Sequence, residues 1–332
     1  MTSSIARPVP SLTTLKNFVL THPRAAEDAV ALGAWFPAVR FVAATEGWQD
    51  AAVDADALYL GRGVPVDDVL ARAPRLKWIH NGGAGVDRIL TPRLRASEVV
   101  LTNSSGVHAV AIPEHVLALM FAFARQLPDL GRAQALHQWR RPANGAAFEL
   151  EGQTLAVIGL GAIGRGLAKK AHALGLRVVA VRRSAGGEPV EGVDQVYGPD
   201  EIDAAIAEAH HVAICLPLTD ATRGWFDDAR LDRLRDGAYL YNIGRGAIVD
   251  PGALWRALTS GRLAGAGLDV TVPEPLPAES PLWSHPRVIL TNHTAGGSPK
   301  NAAKVLALVR DNLDRALQGR PLRNVVDKER GY

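Results

Sequence analysis

The chain has 332 residues, 47% of them hydrophobic and 21% charged, with a formal net charge of +3. This length exceeds what one hydrophobic core usually organises, so two domains with separate interiors are expected. The densest apolar run, 116–123, is far too short to cross a bilayer, and Lys and Arg are interleaved with Asp and Glu, so neither a membrane partner nor a nucleic-acid partner is expected.

Short apolar runs alternate with helical stretches in the first third of the chain. We predict strands at 18–20, 57–60, 77–80 and 99–101, separated by helices such as 66–73. This alternation indicates a parallel sheet covered by helices. The next stretch, 112–125, is apolar all round and has Pro113 in its opening turn, which predicts a long buried helix at a domain junction.

A second and more regular α/β run follows a predicted loop at 140–149. Its predicted strands, separated by helical segments, are 154–158, 177–181, 212–216, 238–242, 264–268 and 288–291. The last predicted helix, 299–318, has no strand after it in this run. If that helix packs on the first sheet, the first domain is built from both ends of the chain and the second is inserted into it.

The most specific motif is a glycine-rich turn between a strand and a helix. The predicted strand 154–158 leads directly into Gly159, Leu160, Gly161, Ala162, Ile163 and Gly164, and a helical stretch follows. In a dinucleotide-binding fingerprint, Gly159 permits the tight turn, Gly161 lets a pyrophosphate approach the backbone, and Gly164 lets helix and strand pack closely. The N–H groups at the helix start, around Ala162 and Ile163, would then bind the phosphates. The motif predicts an NAD(P) cofactor.

The end of the second strand in this run favours NADP(H) over NAD(H). A site for NAD normally has Asp or Glu at this point to hold the ribose 2′-hydroxyl. Here the strand leads into Arg182, Arg183 and Ser184. Two guanidinium groups and a hydroxyl would bind a 2′-phosphate, which a carboxylate would repel. The alternative is that Arg182 points into solvent or stacks on adenine, and the enzyme is then indifferent to the phosphate.

Motifs along nearly the whole chain resemble those of the D-isomer-specific 2-hydroxyacid dehydrogenases, which include glyoxylate/hydroxypyruvate reductases. Besides the fingerprint, the motifs are Gly83-Ala-Gly-Val-Asp87, Glu114-His115, Pro217-Leu-Thr219, Asn242-Ile-Gly-Arg-Gly246, Leu268-Asp-Val270, Glu274-Pro275, Asn292-His293 and Ala295-Gly296. The resemblance implies an α/β fold of two Rossmann/flavodoxin-like doubly wound parallel-sheet domains. It assigns 1–107 and 297–332 to a discontinuous substrate-binding domain, 108–296 to an inserted dinucleotide-binding domain, and implies a homodimer.

The same resemblance implies residue roles. It gives a catalytic trio of Arg245, Glu274 and His293. The cofactor site would also include Leu216, Pro217, Thr222, Ile243 and Asp269. Of these, Asp269 resembles the family residue that accepts a hydrogen bond from the nicotinamide carboxamide; an acidic helix cap is the alternative.

The chemistry of the trio can also be argued from the residue types. Reduction of a 2-oxo acid at C2 needs a proton donor for the developing alkoxide and a cation for the carboxylate or carbonyl. His293 follows a predicted strand, where α/β folds bind ligands, and its imidazolium can donate the proton. Glu274 would hold the ring and favour its charged form, and the planar fork of Arg245 would bind the carboxylate and carbonyl oxygens. We therefore predict an oxidoreductase that transfers a hydride between NAD(P)H and C2 of a small 2-oxo/2-hydroxy acid.

Two further predictions concern anions and metals. The turn Gly83, Ala84 and Gly85 exposes successive backbone N–H groups, which suits binding of the substrate carboxylate; a plain tight turn is the alternative. No metal site is predicted, because the neighbouring His210 and His211 on a strand point to opposite faces of the sheet.

Two other functions stay open at this point. A dehydrogenase of another small anion, such as formate or phosphite, would share the fold, but formate enzymes pair their histidine with Gln where this chain has Glu274. A nucleotide-sensing binding protein, as in the corepressor branch of the family, would not need the acid catalyst His293. The N-terminal residues show no signal-peptide run and the single cysteine, Cys215, cannot form an internal disulfide, which together favour the cytoplasm.

Overall fold

The structure, a computed structural model, describes residues 11–143, 145–183, 186 and 188–332. The contacts divide the chain into two compact units: a first unit of Met1–Val107 with Pro299–Tyr332, and a second unit of His108–Ser298. The strands are β1 (Asn17–Leu20), β2 (Arg40–Ala43), β3 (Ala57–Leu60), β4 (Trp78–Asn81), β5 (Val100–Asn103), β6 (Thr154–Ile158), β7 (Arg177–Val181), β8 (Gln195–Tyr197), β9 (His211–Ile214), β10 (Ala238–Asn242), β11 (Leu263–Leu268) and β12 (Val288–Leu290). The α-helices are α1 (Ala25–Trp35), α2 (Trp48–Ala52), α3 (Val66–Arg72), α4 (Pro92–Ala96), α5 (Ala111–Ala124), α6 (Leu127–Ala135), α7 (Ala162–Ala173), α8 (Ile202–Ala207), α9 (Asp228–Leu231), α10 (Pro251–Ser260) and α11 (Asn301–Leu317).

The first unit contains a parallel sheet in the order β2-β1-β3-β4-β5. This is the flavodoxin-like doubly wound order. The C-terminal helix α11 contributes Val305, Val309 and Leu313 to the core that also contains Phe18 and Trp78. The condition posed by the sequence is therefore met, because the last helix completes the core of the first sheet.

The second unit contains a seven-stranded parallel sheet in the order β12-β11-β10-β9-β6-β7-β8. Counted from its own first strand, this is the classical dinucleotide-binding order with one strand added. The order reverses between β6 and β9, and the loops after these strands lie in contact, since a Cβ on Gly159 would lie 3.0 Å from the carbonyl oxygen of Cys215. Folds of this type bind ligands at such a switch point.

The expected fold class is confirmed, and the predicted strands 154–158, 177–181 and 238–242 match β6, β7 and β10 at both ends. The predicted strand 212–216 is shifted, because β9 spans His211–Ile214. Two strands, β2 and β8, were not predicted. Both are short edge strands whose residues are exposed or half-buried, so their apolar signal is weak.

The helix predicted at 112–125 is present as α5, but it is not buried all round. Glu114, Ala118 and Phe121, spaced three or four residues apart, are exposed and form one stripe of this helix. The prediction of a fully buried helix was wrong because alanine and phenylalanine on the outer face were counted as core residues. No helix in the described ranges combines the length and apolarity that crossing a membrane requires.

Each unit has a buried histidine in an inner strand of its sheet. His80 in β4 contacts Thr102 Oγ1 at 2.9 Å and Ser104 Oγ at 3.2 Å. His211 in β9 contacts Tyr241 Oη at 3.0 Å and Gln153 Oε1 at 2.7 Å. Burial lowers the pKa of both imidazoles to about 3, so both are neutral in the folded chain near neutral pH.

We expect mild acid to destabilise the folded chain. In the unfolded chain these histidines titrate near 6.5, so between that pH and about 3 the unfolded state binds protons that the folded state does not. The stabilisation is complete above 6.5 and falls by about 1.4 kcal/mol per pH unit for each histidine as the pH drops. Urea unfolding at about pH 7 and about pH 5 measures this change. An equal free energy of unfolding at both values would contradict it.

Candidate active site

The glycine-rich turn after β6 has the geometry that a bound pyrophosphate requires. Gly159 has φ +107°, a value that residues with a side chain rarely adopt. A Cβ on Gly164 would lie 1.9 Å from the carbonyl oxygen of Gly159, so only glycine permits this contact between α7 and the turn. A Cβ on Gly161 would meet nothing within 4 Å, so the space in front of the first N–H groups of α7 is open. The turn therefore fits the phosphates of a dinucleotide.

Other predicted cofactor residues surround this turn. Ala162 is exposed and opens α7, and Ile163 packs against the core. Thr222 Oγ1 donates to the Pro217 carbonyl at 2.8 Å and accepts from Thr219 N at 2.8 Å, so it closes the turn that follows β9. Leu216 is half-buried, and the side chain of Ile243 is buried in the core. Their contacts with a cofactor stay predictions.

The arginine pair lies directly after β7. Arg182 N donates to the Tyr197 carbonyl at 3.1 Å, and its Nη2 donates to the Gly186 carbonyl at 3.0 Å. Its buried Nε has no hydrogen-bond partner within the described ranges. Arg183 is exposed, and the third predicted residue, Ser184, lies outside the described residues. Within the described residues the Nε–H donor of Arg182 is therefore unsatisfied, and a rotation of the side chain would expose it to an oxygen acceptor.

Arg245 lies on a short loop after β10 whose shape is set by Asn242. The buried Asn242 side chain donates to the Arg245 carbonyl at 2.9 Å and accepts from Gly244 N at 3.1 Å. The glycines on either side leave no room for side chains, since a Cβ on Gly244 would lie 2.6 Å from Leu216 O and one on Gly246 would lie 2.2 Å from the Thr271 backbone. Asn242 was predicted only as a motif residue, because its role depends on hydrogen bonds that no sequence pattern reveals.

Glu274 and His293 form a close pair. His293 Nδ1 lies 2.5 Å from Glu274 Oε1, and the two side chains are 39% and 26% exposed, so both are reachable from solvent. Arg245, Glu274 and His293 follow β10, β11 and β12, which are neighbours in the sheet. The structure thus places the predicted trio in loops that follow neighbouring strands, at the carboxyl end of one parallel sheet.

The His293 loop has an unusual backbone conformation that Asp269 holds in place. Asn292 and His293 have φ of 48° and 58°, in the left-handed region that side-chain-bearing residues avoid. Asp269 is buried, its carbonyl accepts from His293 N at 2.6 Å, and its Oδ1 accepts from Thr294 N at 2.8 Å and Ala295 N at 3.1 Å. Asp269 was predicted as a cofactor ligand, and the structure adds this second role.

The glycine loop Gly83–Ala84–Gly85 lies in the first unit, after β4. Its carbonyls are bonded from the protein side: Asn81 Nδ2 donates to Gly83 O at 2.9 Å and to Gly85 O at 3.0 Å, and Asn103 Nδ2 donates to Ala84 O at 2.7 Å. These bonds hold the carbonyls inward, which suits N–H groups that face a ligand. The anion-binding role stays a prediction.

The neighbouring histidines His210 and His211 have separate hydrogen-bond partners. His210 Nδ1 accepts from Thr154 N at 3.0 Å, whereas His211 is buried and bonded to Tyr241 and Gln153. Among the described residues, no three His, Cys, Asp or Glu side chains are grouped as a metal ion would require.

Comparisons with known proteins identify the family of this chain. The family model described as "D-isomer specific 2-hydroxyacid dehydrogenase, NAD binding domain" matches residues 117–295. A glyoxylate reductase of Aeropyrum pernix is 33% identical over 285 residues, which are 84% of each chain. A glyoxylate/hydroxypyruvate reductase B of Pectobacterium carotovorum is 32% identical over 274 residues, 81% of this chain and 85% of that one. This chain belongs to the D-isomer-specific 2-hydroxyacid dehydrogenase family.

Solved structures agree with the family assignment. An NADPH-dependent glyoxylate/hydroxypyruvate reductase from Sinorhizobium meliloti, in complex with NADP and sulfate, superposes with a TM-score of 0.82 at 29% identity, covering 96% of this chain and all of that one. The 117–295 match includes the fingerprint, the arginine pair and the trio. As a member of the 2-hydroxyacid dehydrogenase family, the chain is an NAD(P)-dependent oxidoreductase, as the sequence predicted.

Proposed function

We propose that this 2-hydroxyacid dehydrogenase reduces a small 2-oxo acid of the glyoxylate or hydroxypyruvate type to the D-2-hydroxy acid, with NADPH as the preferred hydride donor. The observation that carries the proposal is the 2.5 Å pair of His293 and Glu274. This pair lies at the carboxyl end of the same sheet as the Arg245 loop. The names of the relatives from A. pernix and P. carotovorum support the substrate class.

The pair of Glu274 and His293 would perform the proton transfer. Bound nicotinamide would supply the hydride that C2 of the substrate accepts. Because Nδ1 of His293 faces Glu274, Nε2 is the ring nitrogen left to face the substrate. His293 would donate its Nε2 proton to the C2 oxygen as the C=O bond becomes C–O, and the Glu274 carboxylate would stabilise the imidazolium before that transfer. In the oxidative direction the same nitrogen would take the proton back.

Arg245 would bind and orient the substrate. Its guanidinium can donate two parallel hydrogen bonds to the carboxylate and carbonyl oxygens of a 2-oxo acid, which fixes C2 relative to the hydride. The Gly83–Gly85 loop would bind the carboxylate through its N–H groups. We assign substrate binding to the domain of 1–107 and 297–332 and cofactor binding to 108–296.

The preference for NADPH rests on Arg182 and Arg183. Arg182, whose Nε has no hydrogen-bond partner among the described residues, and the exposed Arg183 would bind the 2′-phosphate. The S. meliloti reductase is described as NADPH-dependent, which supports the same preference here. Asp269, Leu216, Pro217, Thr222 and Ile243 would complete the cofactor site, with Ser184 as a further 2′-phosphate contact.

We also propose a cytoplasmic homodimer. Leu127, Leu136 and Trp139, on and just after α6, are 52%, 67% and 97% exposed, which is typical of a surface that another chain covers. The single cysteine supports a reducing compartment.

A substrate panel tests the proposed function. Purified protein is mixed with NADPH or NADH and with glyoxylate, hydroxypyruvate, pyruvate or oxaloacetate, and the loss of cofactor absorbance is followed. We expect turnover with at least one of the first two acids, faster with NADPH. The panel also includes NADP or NAD with formate or phosphite. Turnover of those anions alone would favour the second dehydrogenase type, and cofactor binding without turnover of any compound would favour the nucleotide sensor.

A further inference from the structure

The Glu114-His115 motif has no task in the proposed reaction, yet the structure connects its histidine to the catalytic loop. His115 lies in the first turns of α5, with its side chain 22% exposed. Its Nε2 lies 2.9 Å from Thr291 Oγ1, and Thr291 Oγ1 lies 2.7 Å from Asp269 Oδ1. A chain of two hydrogen bonds therefore joins α5 to the carboxylate that holds the His293 loop.

The direction of these hydrogen bonds follows from the groups involved. A carboxylate only accepts hydrogen bonds, so the Thr291 hydroxyl donates its proton to Asp269. With its one proton directed at Asp269, the hydroxyl can only accept a hydrogen bond from His115. Nε2 of His115 therefore carries a proton and donates it to Thr291 Oγ1. The direct distance from His115 Nε2 to Asp269 Oδ1 is 3.9 Å, too long for a hydrogen bond, so Thr291 is the necessary link.

Thr291 contacts Oδ1 of Asp269, the carboxylate oxygen that accepts most of the hydrogen bonds from the His293 loop. Asp269 Oδ1 accepts from Thr291 Oγ1, Thr294 N and Ala295 N, and Oδ2 accepts from Ala295 N at 3.1 Å. Rotation of the carboxylate would break three of these bonds at once. Of these hydrogen bonds, the bond from Thr291 comes from a side chain and the others come from backbone N–H groups of the loop. The Thr291 bond therefore opposes rotation of the carboxylate even if those backbone groups move.

The loop needs such support because its conformation is costly. Consecutive left-handed conformations at Asn292 and His293 are unfavourable for residues with a side chain and persist only where surrounding contacts hold them. They direct the His293 ring towards Glu274, at 2.5 Å. Loosening of Asp269 would let the loop relax and would lengthen the distance over which His293 must act.

We propose that His115 and Thr291 are positioning residues that, through Asp269, hold the His293 loop in its catalytic conformation. The proposal rests on the proposed role of His293 as the proton donor. Neither residue is assigned to the reacting atoms, so their loss should act through the His293 loop and lower the rate of proton transfer.

The first test measures loop protection and needs no substrate. Hydrogen exchange in the segment 290–296 is followed by mass spectrometry in wild type, T291V, T291S, H115F and H115Q. Loss of the hydroxyl in T291V should speed exchange there about tenfold, the scale of one lost buried hydrogen bond. T291S keeps the hydroxyl and H115Q keeps an N–H donor, so both should stay near wild type, whereas H115F should behave like T291V.

The second test measures kcat with the best 2-oxo acid found. T291V and H115F should lower kcat about tenfold, and T291S and H115Q should recover most of the rate. T259V is the matched control, because the Thr259 hydroxyl bonds to the Trp255 carbonyl within α10. It should change neither exchange in 290–296 nor kcat.

The outcomes separate the two proposals. Unchanged exchange in T291V would overturn the positioning role whatever the activity. Faster exchange with unchanged kcat would also overturn it, as would equal defects in T291V and T291S, because they would indicate general misfolding. A wild-type protein that reduces no 2-oxo acid would instead overturn the proposed function, and the exchange data would still decide whether Thr291 and His115 hold the loop.

Discussion

Replacing His293 by alanine is expected to lower kcat for 2-oxo acid reduction by about a hundredfold or more, the usual effect of removing a general acid. The ring is the group paired with Glu274 at 2.5 Å. The measurement is steady-state turnover with saturating NADPH. The Kd of NADPH, measured by fluorescence, should stay within about twofold, because the imidazole is assigned to the proton and not to cofactor binding.

A second variant of the same pair serves as a graded control. E274Q keeps a hydrogen-bond acceptor for His293 Nδ1 but removes the negative charge that stabilises the imidazolium. Its loss of kcat should be smaller than that of H293A, because the ring keeps its hydrogen-bond partner. Near-normal turnover by H293A would remove this histidine from the mechanism.

Replacing Arg182 by aspartate is expected to change the ratio of NADPH to NADH affinity by about a hundredfold, which corresponds to about 2.8 kcal/mol. The substitution removes the Nε donor, for which the described part of the chain offers no acceptor. It places a carboxylate there that repels a 2′-phosphate and can bind a 2′-hydroxyl. Titration of the purified variant with each coenzyme measures the two Kd values.

The opposite end of the same strand supplies the control for this charge reversal. Arg177 begins β7, whereas Arg182 follows its last residue, and Arg177 is exposed and paired with Glu208 at 3.3 Å. R177D makes the same change of charge far from the end of β7 where the ribose is expected. Its NADPH to NADH ratio should equal that of wild type. If R182D leaves the ratio unmoved, the assignment of the 2′-phosphate site is wrong.

The parts of the fold that were predicted well are those whose burial is complete. Strands such as β6, with all five residues buried, appear in the sequence as continuous apolar runs. The edge strand β2 has an exposed residue at each end, so nothing distinguishes it from a loop of similar composition. For helix α5 the error was the opposite one: burial was overestimated, because the apolar side chain of Phe121 is typical of a core residue and yet is exposed.

The candidate site divides in the same way. Arg245 and His293 were predicted because each follows a strand within a recognisable motif, and Glu274 was predicted from its motif. The structure places the three in loops after neighbouring strands. The hydrogen bonds by which Thr291 contacts Asp269 and Asn242 shapes the Arg245 loop were not predicted. They depend on individual oxygen and nitrogen atoms meeting at 2.7–2.9 Å across separate elements, and a threonine or asparagine in a sequence does not show which atom its side chain will contact.

The two glycines beside Arg245 also bear on how this enzyme can be redesigned. Because the backbones of Leu216 and Thr271 lie against positions 244 and 246, any side chain added there would displace the loop that carries the arginine. A library that aims to enlarge the range of acids should therefore leave residues 242–246 untouched. Mutations should be directed instead to exposed positions such as Val272, where a new side chain has solvent in front of it.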